Sequence, residues 1–89
     1  MSAAIGVLEA LADPTRRRLL DRLSQHGEAT ATVLAEELPI SRQAVVQHLA
    51  VLHAVGLVSG RRSGRERRYV LCPERLTETA AWMSALAAQ

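Results

Sequence analysis

The segment Ile40-Ser41-Arg42-Gln43-Ala44-Val45-Val46-Gln47-His48-Leu49-Ala50-Val51-Leu52 has the pattern of an amphipathic helix with its own start signal. Ser41 is a favourable N-cap, because its hydroxyl can accept a hydrogen bond from an amide of the first turn. Apolar residues recur at the spacing of one helical face: Val45, Leu49 and Leu52. We therefore predict a helix from Arg42 to about Val55, which Gly56 ends.

A shorter helix is predicted immediately before it. Thr30 or Thr32 could cap this helix, and Pro39 ends it. Its expected inward residues are Val33, Leu34, Ala35 and Leu38. Two helices joined by a tight turn, over about residues 30–55, match the helix-turn-helix unit, whose second helix lies in the DNA major groove. The alternative is an ordinary amphipathic helix with a solvated polar face.

The first exposed positions of the second helix are candidates for contact with DNA: Ser41, Arg42, Gln43, Val46, Gln47 and His48. An arginine can bond guanine with two hydrogen bonds, a glutamine can do so with adenine, and an apolar side chain can contact a thymine methyl. Arg42, Gln43, Val46 and Gln47 therefore suit base reading. Ser41 is chiefly a cap, although the amides beside it could bind a phosphate.

After Gly56 the periodicity changes to that of two short strands, Leu57–Arg62 and Glu66–Leu71, with Ser63-Gly64-Arg65 as the turn. Five of the eleven basic residues, all arginines, lie within residues 61–68, beside the single acid Glu66. The net charge of this segment is +4 and that of the remaining chain is −2, and such a concentrated positive patch indicates a polyanionic partner. A solvated hairpin is the alternative.

An arginine-rich hairpin that follows a recognition helix, here over about residues 57–72, is predicted to be a wing. Its guanidinium groups can bind phosphates or enter a narrow minor groove. The residues nearest the tip are the expected contacts: Arg62, Arg65 and Arg67. Arg61 and Arg68 are expected to support the strands or to pair with Glu66.

Helical patterns flank this unit on both sides. Residues 3–12 are followed by an Asp13-capped helix from Pro14 to about His26, and a last helix covers residues 74–88. The predicted fold is mostly α with a β-hairpin wing, in the order α-α-α-α-β-β-α, as one domain over residues 1–89. With 89 residues and an alanine-rich core, the chain is a candidate for dimerisation.

Several classes of protein are disfavoured. The single cysteine, Cys72, excludes an intrachain disulfide, and the first residues lack the features of a signal peptide. With one cysteine, a cytoplasmic location is the simplest interpretation. No apolar run is long enough to span a membrane, so we expect no membrane partner. No catalytic constellation or phosphate-binding loop is present, and we therefore expect neither an enzyme nor a cofactor.

Three stretches together resemble the ArsR/SmtB-type winged-helix repressors. They are Leu11-Ala12-Asp13-Pro14-Thr15-Arg16-Arg17-Arg18-Leu19-Leu20, the segment 40–52 quoted above, and Val55-Gly56-Leu57-Val58 with the wing that ends Arg68-Tyr69-Val70-Leu71. The resemblance covers nearly the whole chain. It implies a homodimer that pairs through the first and last helices, with an interface supplied by Ile5, Leu8, Leu11, Leu76, Trp82, Met83 and Leu86. Such a dimer would favour a near-palindromic operator with half-sites about 34–36 Å apart.

Many members of this family release DNA when a metal binds, and the resemblance implies where their ligands would fall in this chain. One ligand set of the family is a Cys-x-Cys pair at the start of the third helix. This chain has Thr30-Ala31-Thr32 at the matching place, and hydroxyls are poor ligands for soft metals. The last helix has no histidine, only Glu74 and Glu78. The remaining candidates are His26, His48, His53 and Cys72, and they suggest no common site. We therefore predict no metal.

The sequence thus predicts a double-stranded-DNA-binding transcriptional repressor that occludes promoters, including its own. The first alternative is a winged-helix module that docks proteins and no longer binds DNA, which the basic wing disfavours. The second is a regulator gated by a small molecule or by oxidation, for which Cys72 is the sole redox handle.

Overall fold

The structure, a computed structural model, describes residues 2–89, with side chains from Ala4 onward. Its elements are α1 (Ser2–Leu11), α2 (Pro14–His26), β1 (Ala29–Thr30), α3 (Ala31–Glu37), α4 (Arg42–Ala54), β2 (Val58–Ser63), β3 (Glu66–Leu71) and α5 (Glu74–Ala87). The predicted mostly-α winged helix-turn-helix fold is confirmed, with one added strand. Helix and strand ends differ from the expected ones by about one residue, and Met1 of the predicted domain lies outside the described residues.

Asp13 determines where α2 begins. Its Oδ1 accepts hydrogen bonds from the amides of Thr15, at 2.7 Å, and Arg16, at 3.1 Å. The bond from the Arg16 amide is the largest cause that holds the pKa of the Asp13 carboxyl below its ordinary 3.8; partial desolvation opposes it. The predicted cap is therefore confirmed, and it satisfies amides that a helix leaves without partners.

Two arginines close the corner between α1 and α2. Arg16 Nε donates to the carbonyl oxygen of Ala10 at 2.7 Å, and an Nη of Arg17 donates to that of Leu11 at 2.6 Å. These carbonyls lie in the last turn of α1, where no helical amide is available to bond them. The first turn of α2 thus fixes the end of α1.

The core lies where α2, α3 and α4 meet the sheet. Its largest fully buried side chains are Val7, Leu19, Leu23, Leu34, Val45, Leu49, Leu52, Leu57 and Val58. One expectation for α3 was wrong: Val33 is 38% exposed, whereas Ala31, Leu34 and Leu38 are buried. Positions 31, 34 and 38 share one helical face, and Val33 lies about 100° away from Leu34.

The strand that the sequence did not reveal is β1. The sheet is antiparallel with strand order β1-β3-β2, and Ala29 and Thr30 pair with Tyr69 and Arg68. The Thr30 hydroxyl also accepts from the Val33 amide at 3.2 Å and so caps α3. The wing is therefore joined by main-chain pairing to the start of the helix-turn-helix.

The hairpin turn is tighter than predicted. Ser63 pairs with Glu66, so Ser63 belongs to β2 and only Gly64 and Arg65 form the turn. Gly64 has φ of +64°, a backbone conformation that side chains disfavour, and no described non-glycine residue has a positive φ. This sign pattern is that of a type II′ hairpin turn, with glycine at its first central position.

Candidate nucleic-acid interface

Helix α4 is held at its start and along one face. The Ser41 hydroxyl accepts from the Ala44 amide at 3.1 Å, as a helix cap does. Val45, Leu49 and Leu52 have no exposed surface. The opposite face of the helix is consequently left to solvent, with its orientation fixed by the core.

The candidate base-reading residues divide into two groups. Gln43, Val46 and Gln47 lie exposed on the outer face of α4. Arg42 is also exposed, but its Nε donates to the Thr32 hydroxyl of α3 at 3.2 Å. This contact fixes the base of the Arg42 guanidinium and leaves its other nitrogens available.

His48 lies apart from this outer face. It is half-buried, and its position lies about 140° around the helix from Gln43 and about 100° from Gln47. The hydrogen bond from the Arg16 amide is the largest of the causes that lower the pKa of the Asp13 carboxyl, and the proximity of His48 is the smallest. The structure therefore does not bring His48 together with Gln43 and Gln47.

A groove separates α4 from the wing. It has a volume of about 220 Å³ and is lined by Val46, Leu49, Ala50, His53, Arg67 and Tyr69. Arg67 belongs to β3, and one of its Nη atoms donates to the Gly60 carbonyl at 3.4 Å. The groove thus has an apolar floor from α4 and a guanidinium group on its wing side.

Gly60 was not among the site residues predicted from the sequence, and His53 was named there only as a candidate metal ligand. A Cβ built on Gly60 would lie 2.8 Å from Arg67 Nε and 3.2 Å from Tyr69 Cε1. Glycine at this position therefore lets the Arg67 side chain cross β2. An isolated glycine within a strand pattern is a recognised sign of such a close approach, so the signal was present in the sequence.

The remaining wing arginines are placed differently. Arg62 is directly opposite Arg67 in the hairpin, and Arg65 occupies the turn. Arg61 and Arg68 were expected to support the strands or pair with Glu66, but their carboxylate partner is Glu28, at 3.4 and 3.7 Å. The pairing with Glu66 was wrong because Glu28, distant in sequence, precedes β1 and so lies beside β3.

Three of the side chains weighed as metal ligands, those of Thr30, Thr32 and His26, have hydrogen-bond partners within the chain. The Thr30 hydroxyl caps α3, and that of Thr32 accepts from Arg42. His26 Nε2 lies 2.8 Å from a Glu37 carboxylate oxygen. Within residues 2–89, no three side chains of His, Cys, Asp or Glu come together as a metal-binding group. Cys72 is half-buried, and its amide donates to the Leu57 carbonyl at 2.8 Å.

The candidate dimer residues are also of two kinds. Ile5, Leu8, Met83 and Leu86 are exposed on α1 and α5, and Ile5 and Leu86 reach 51% and 59%. Leu11 and Leu76 instead pack partly against the core of their own chain, and Trp82 is half-buried. In the described part of the chain, none of the helices combines the length and apolar character needed to cross a bilayer.

Comparisons with known proteins agree with this architecture. A family model described as a helix-turn-helix domain matches residues 11–61. The HTH-type transcriptional regulator Rv2034 of Mycobacterium tuberculosis is 49% identical over 65 residues, which are 73% of this chain and 60% of that protein. The transcriptional repressor SdpR of Bacillus subtilis is 36% identical over 77 residues, 86% of this chain and 84% of the repressor.

The structure of an ArsR-like transcriptional regulator from Rhodococcus sp. RHA1 has a TM-score of 0.87 and 38% identity, and the match covers 98% of this chain and 81% of that one. These relatives are transcriptional regulators rather than enzymes, which confirms the prediction that the chain is not an enzyme. The helix-turn-helix match extends over more than half of the chain, and the fold similarity over nearly all of it. The chain therefore belongs to the ArsR/SmtB-type family of winged-helix transcriptional regulators.

Proposed function

We propose that the chain is a sequence-specific repressor that binds double-stranded DNA through α4 and the wing, with residues 1–89 acting as one DNA-binding domain. The observation that carries the proposal is the groove shared by Val46 of α4 and Arg67 of the wing. Because both α4 and the wing line this groove, the two elements can contact the same segment of DNA. Gln43 and Gln47, exposed on α4, supply the hydrogen-bonding side chains that base recognition needs.

The groove suits one sugar-phosphate strand. Adjacent major and minor grooves of DNA are separated by a single backbone, so α4 in the major groove and the wing in the minor groove enclose that backbone between them. Arg67 would donate to its phosphates, and His53 and Tyr69 on the same groove offer further donors. Arg62 and Arg65 would extend the phosphate contacts toward the wing tip.

The apolar face of α1 and α5 supports a homodimer. A small domain seldom leaves several large apolar side chains exposed on adjoining helices, and here they include Ile5, Leu8, Met83 and Leu86. Pairing of this face about a two-fold axis would present two α4 helices to a near-palindromic operator. Leu11, Leu76 and Trp82, which are partly buried within the chain, would contribute at the edge of this interface.

Repression would follow from occupancy of a promoter in the cytoplasm, including the promoter of the chain's own gene. The name of the relative SdpR, a transcriptional repressor, favours repression over activation. A metal is not the proposed signal, because the hydroxyls of Thr30 and Thr32 are engaged within the chain. Micromolar or tighter binding of Zn²⁺ in a calorimetric titration would contradict this part of the proposal.

The proposal is tested by fluorescence anisotropy with a duplex from the gene's own upstream region and a scrambled duplex, over a series of salt concentrations. Tight binding to the upstream duplex alone, with affinity that falls steeply with salt, is the expected result for an autoregulator. Equal binding to both duplexes would remove autoregulation and leave a DNA-binding protein with another operator. Failure to bind either duplex at low salt would overturn the proposal in favour of a protein-docking module.

A further inference from the structure

The wing has two faces with different charge. Residues directly opposite each other in an antiparallel pair project to the same face, and successive residues alternate between faces. The pair Arg62 and Arg67 therefore shares the face of Tyr69, which borders the α4 groove. The pair Arg61 and Arg68 projects to the other face, called the back of the wing below.

Glu28 neutralises the back of the wing. Its carboxylate lies 3.4 Å from an Nη of Arg61 and 3.7 Å from the Nε of Arg68, which also approaches the Ser63 hydroxyl at 3.4 Å. Glu66 projects to the same face but lies within 4.0 Å of neither arginine, so Glu28 is the carboxylate that pairs with both. On the α4 side, no carboxylate among the side chains described from Ala4 onward forms an ion pair within 4.0 Å of Arg62 or Arg67.

The main chain holds Glu28 in this position. It immediately precedes β1, where Ala29 pairs with Tyr69 and Thr30 with Arg68. The carboxylate is therefore anchored beside the guanidinium groups that it contacts. Exposed ion pairs contribute little to folding stability, and Arg61 is 68% exposed. The main effect of Glu28 is therefore on Arg61 and Arg68, whose guanidinium groups it contacts.

We propose that Glu28 is a specificity-determining residue, which keeps Arg61 and Arg68 from binding phosphates. The inference rests on the proposed DNA-binding function. Phosphate contacts raise the affinity for every sequence alike, whereas base contacts discriminate between sequences. A wing with one neutral face binds DNA through the α4 side, where phosphate contact and base reading occur together. Non-specific binding by the back of the wing is thereby suppressed.

The test compares the E28Q and E66Q variants with the wild-type protein on a mixed-sequence duplex. Each phosphate contact adds about 0.9 to the slope of log affinity against log salt, so E28Q should steepen the slope by about 1–2. Between about 50 and 200 mM salt, the loss of affinity should grow by roughly threefold for each added contact. E66Q changes the net charge equally but frees no arginine, and its slope should remain that of the wild type.

A second variant keeps the test independent of any effect of E28Q on β1. Replacing Arg61 and Arg68 together by alanine in the wild-type background should leave the slope unchanged, because neither side chain contacts phosphate. The same double replacement in E28Q should restore the wild-type slope. A slope for E28Q equal to that of E66Q, or a fall of one unit or more in the double alanine variant, would overturn the inference alone. Absence of salt-dependent binding by the wild type would overturn the proposed function as well.

Discussion

Adding a single methyl group at Gly60, by the substitution Gly60→Ala, is predicted to weaken DNA binding. A Cβ at this position would lie 2.8 Å from Arg67 Nε and 3.2 Å from Tyr69 Cε1. Because ordinary contacts are about 3.5–4.0 Å, the guanidinium group has to move by roughly 0.7 Å or more, and the ring by less. Gly60→Ala should therefore displace Arg67 from the groove beside α4.

The expected loss is that of one phosphate contact. The slope of log affinity against log salt should become shallower by about 0.9, close to the effect of Arg67→Ala. Folding stability should change by less than about 1 kcal/mol. The flexible end of Arg67 can move at little cost, and alanine in an extended strand loses less entropy on folding than glycine does. Gly60→Ala is therefore expected to weaken DNA binding while leaving the free energy of unfolding nearly unchanged.

Fluorescence anisotropy at several salt concentrations and urea unfolding of the same preparations measure the two quantities. The double variant Gly60→Ala/Arg67→Ala provides the control, because it should lose no more of the slope than Arg67→Ala alone. The reasoning is refuted if Gly60→Ala keeps the wild-type slope. It is equally refuted if the second replacement lowers the slope again when Arg67 is already absent.

Three further predictions concern other parts of the molecule. Gln47 lies on the exposed face of α4, and Gln47→Ala should reduce the discrimination between the operator and a mutated operator by about 1–3 kcal/mol. The slope of log affinity against log salt should stay unchanged. Competition binding with single-base operator variants measures the discrimination. Leu86→Glu should shift the sedimentation coefficient from dimer to monomer, because Leu86 is 59% exposed on the proposed interface, whereas Val33→Glu on α3 should not. Asp13 has a lowered pKa, chiefly through the bond from the Arg16 amide, so its stabilising effect is present above 3.8 and is lost as the pH falls through the lower folded value. Asp13→Asn keeps the capping acceptor without the charge, and its thermal midpoint should fall less than that of the wild type below pH 3.8; equal falls would exclude this role for Asp13.

The helix starts could be predicted because capping depends on residues within three positions of one another. Asp13 bonds the amides of Thr15 and Arg16, and Ser41 bonds that of Ala44. The period of the apolar residues similarly identified the buried face of α4. These features are local, and a sequence contains all the information on which they depend.

The features that were missed involve residues distant in sequence. Strand β1 has two residues, too few to show a period, and its partners in β3 lie about forty residues further along the chain. The same separation explains why Glu66, the nearest acid in sequence, was the only carboxylate considered as a partner of Arg61 and Arg68, whereas Glu28 pairs with both. Glu28 pairs with these arginines because the fold brings β1 beside β3, and this proximity cannot be deduced from separations along the sequence.

The short strand β1 couples local unfolding of the wing to local unfolding of α3. An isolated two-stranded hairpin is marginally stable, and its amides would exchange with solvent independently of the helices. Here Thr30 pairs with Arg68 of the wing and also caps α3, so separation of the wing from the domain removes an N-terminal contact of α3. The amides of β3 and of the first turn of α3 should therefore exchange together, as one cooperative unfolding unit.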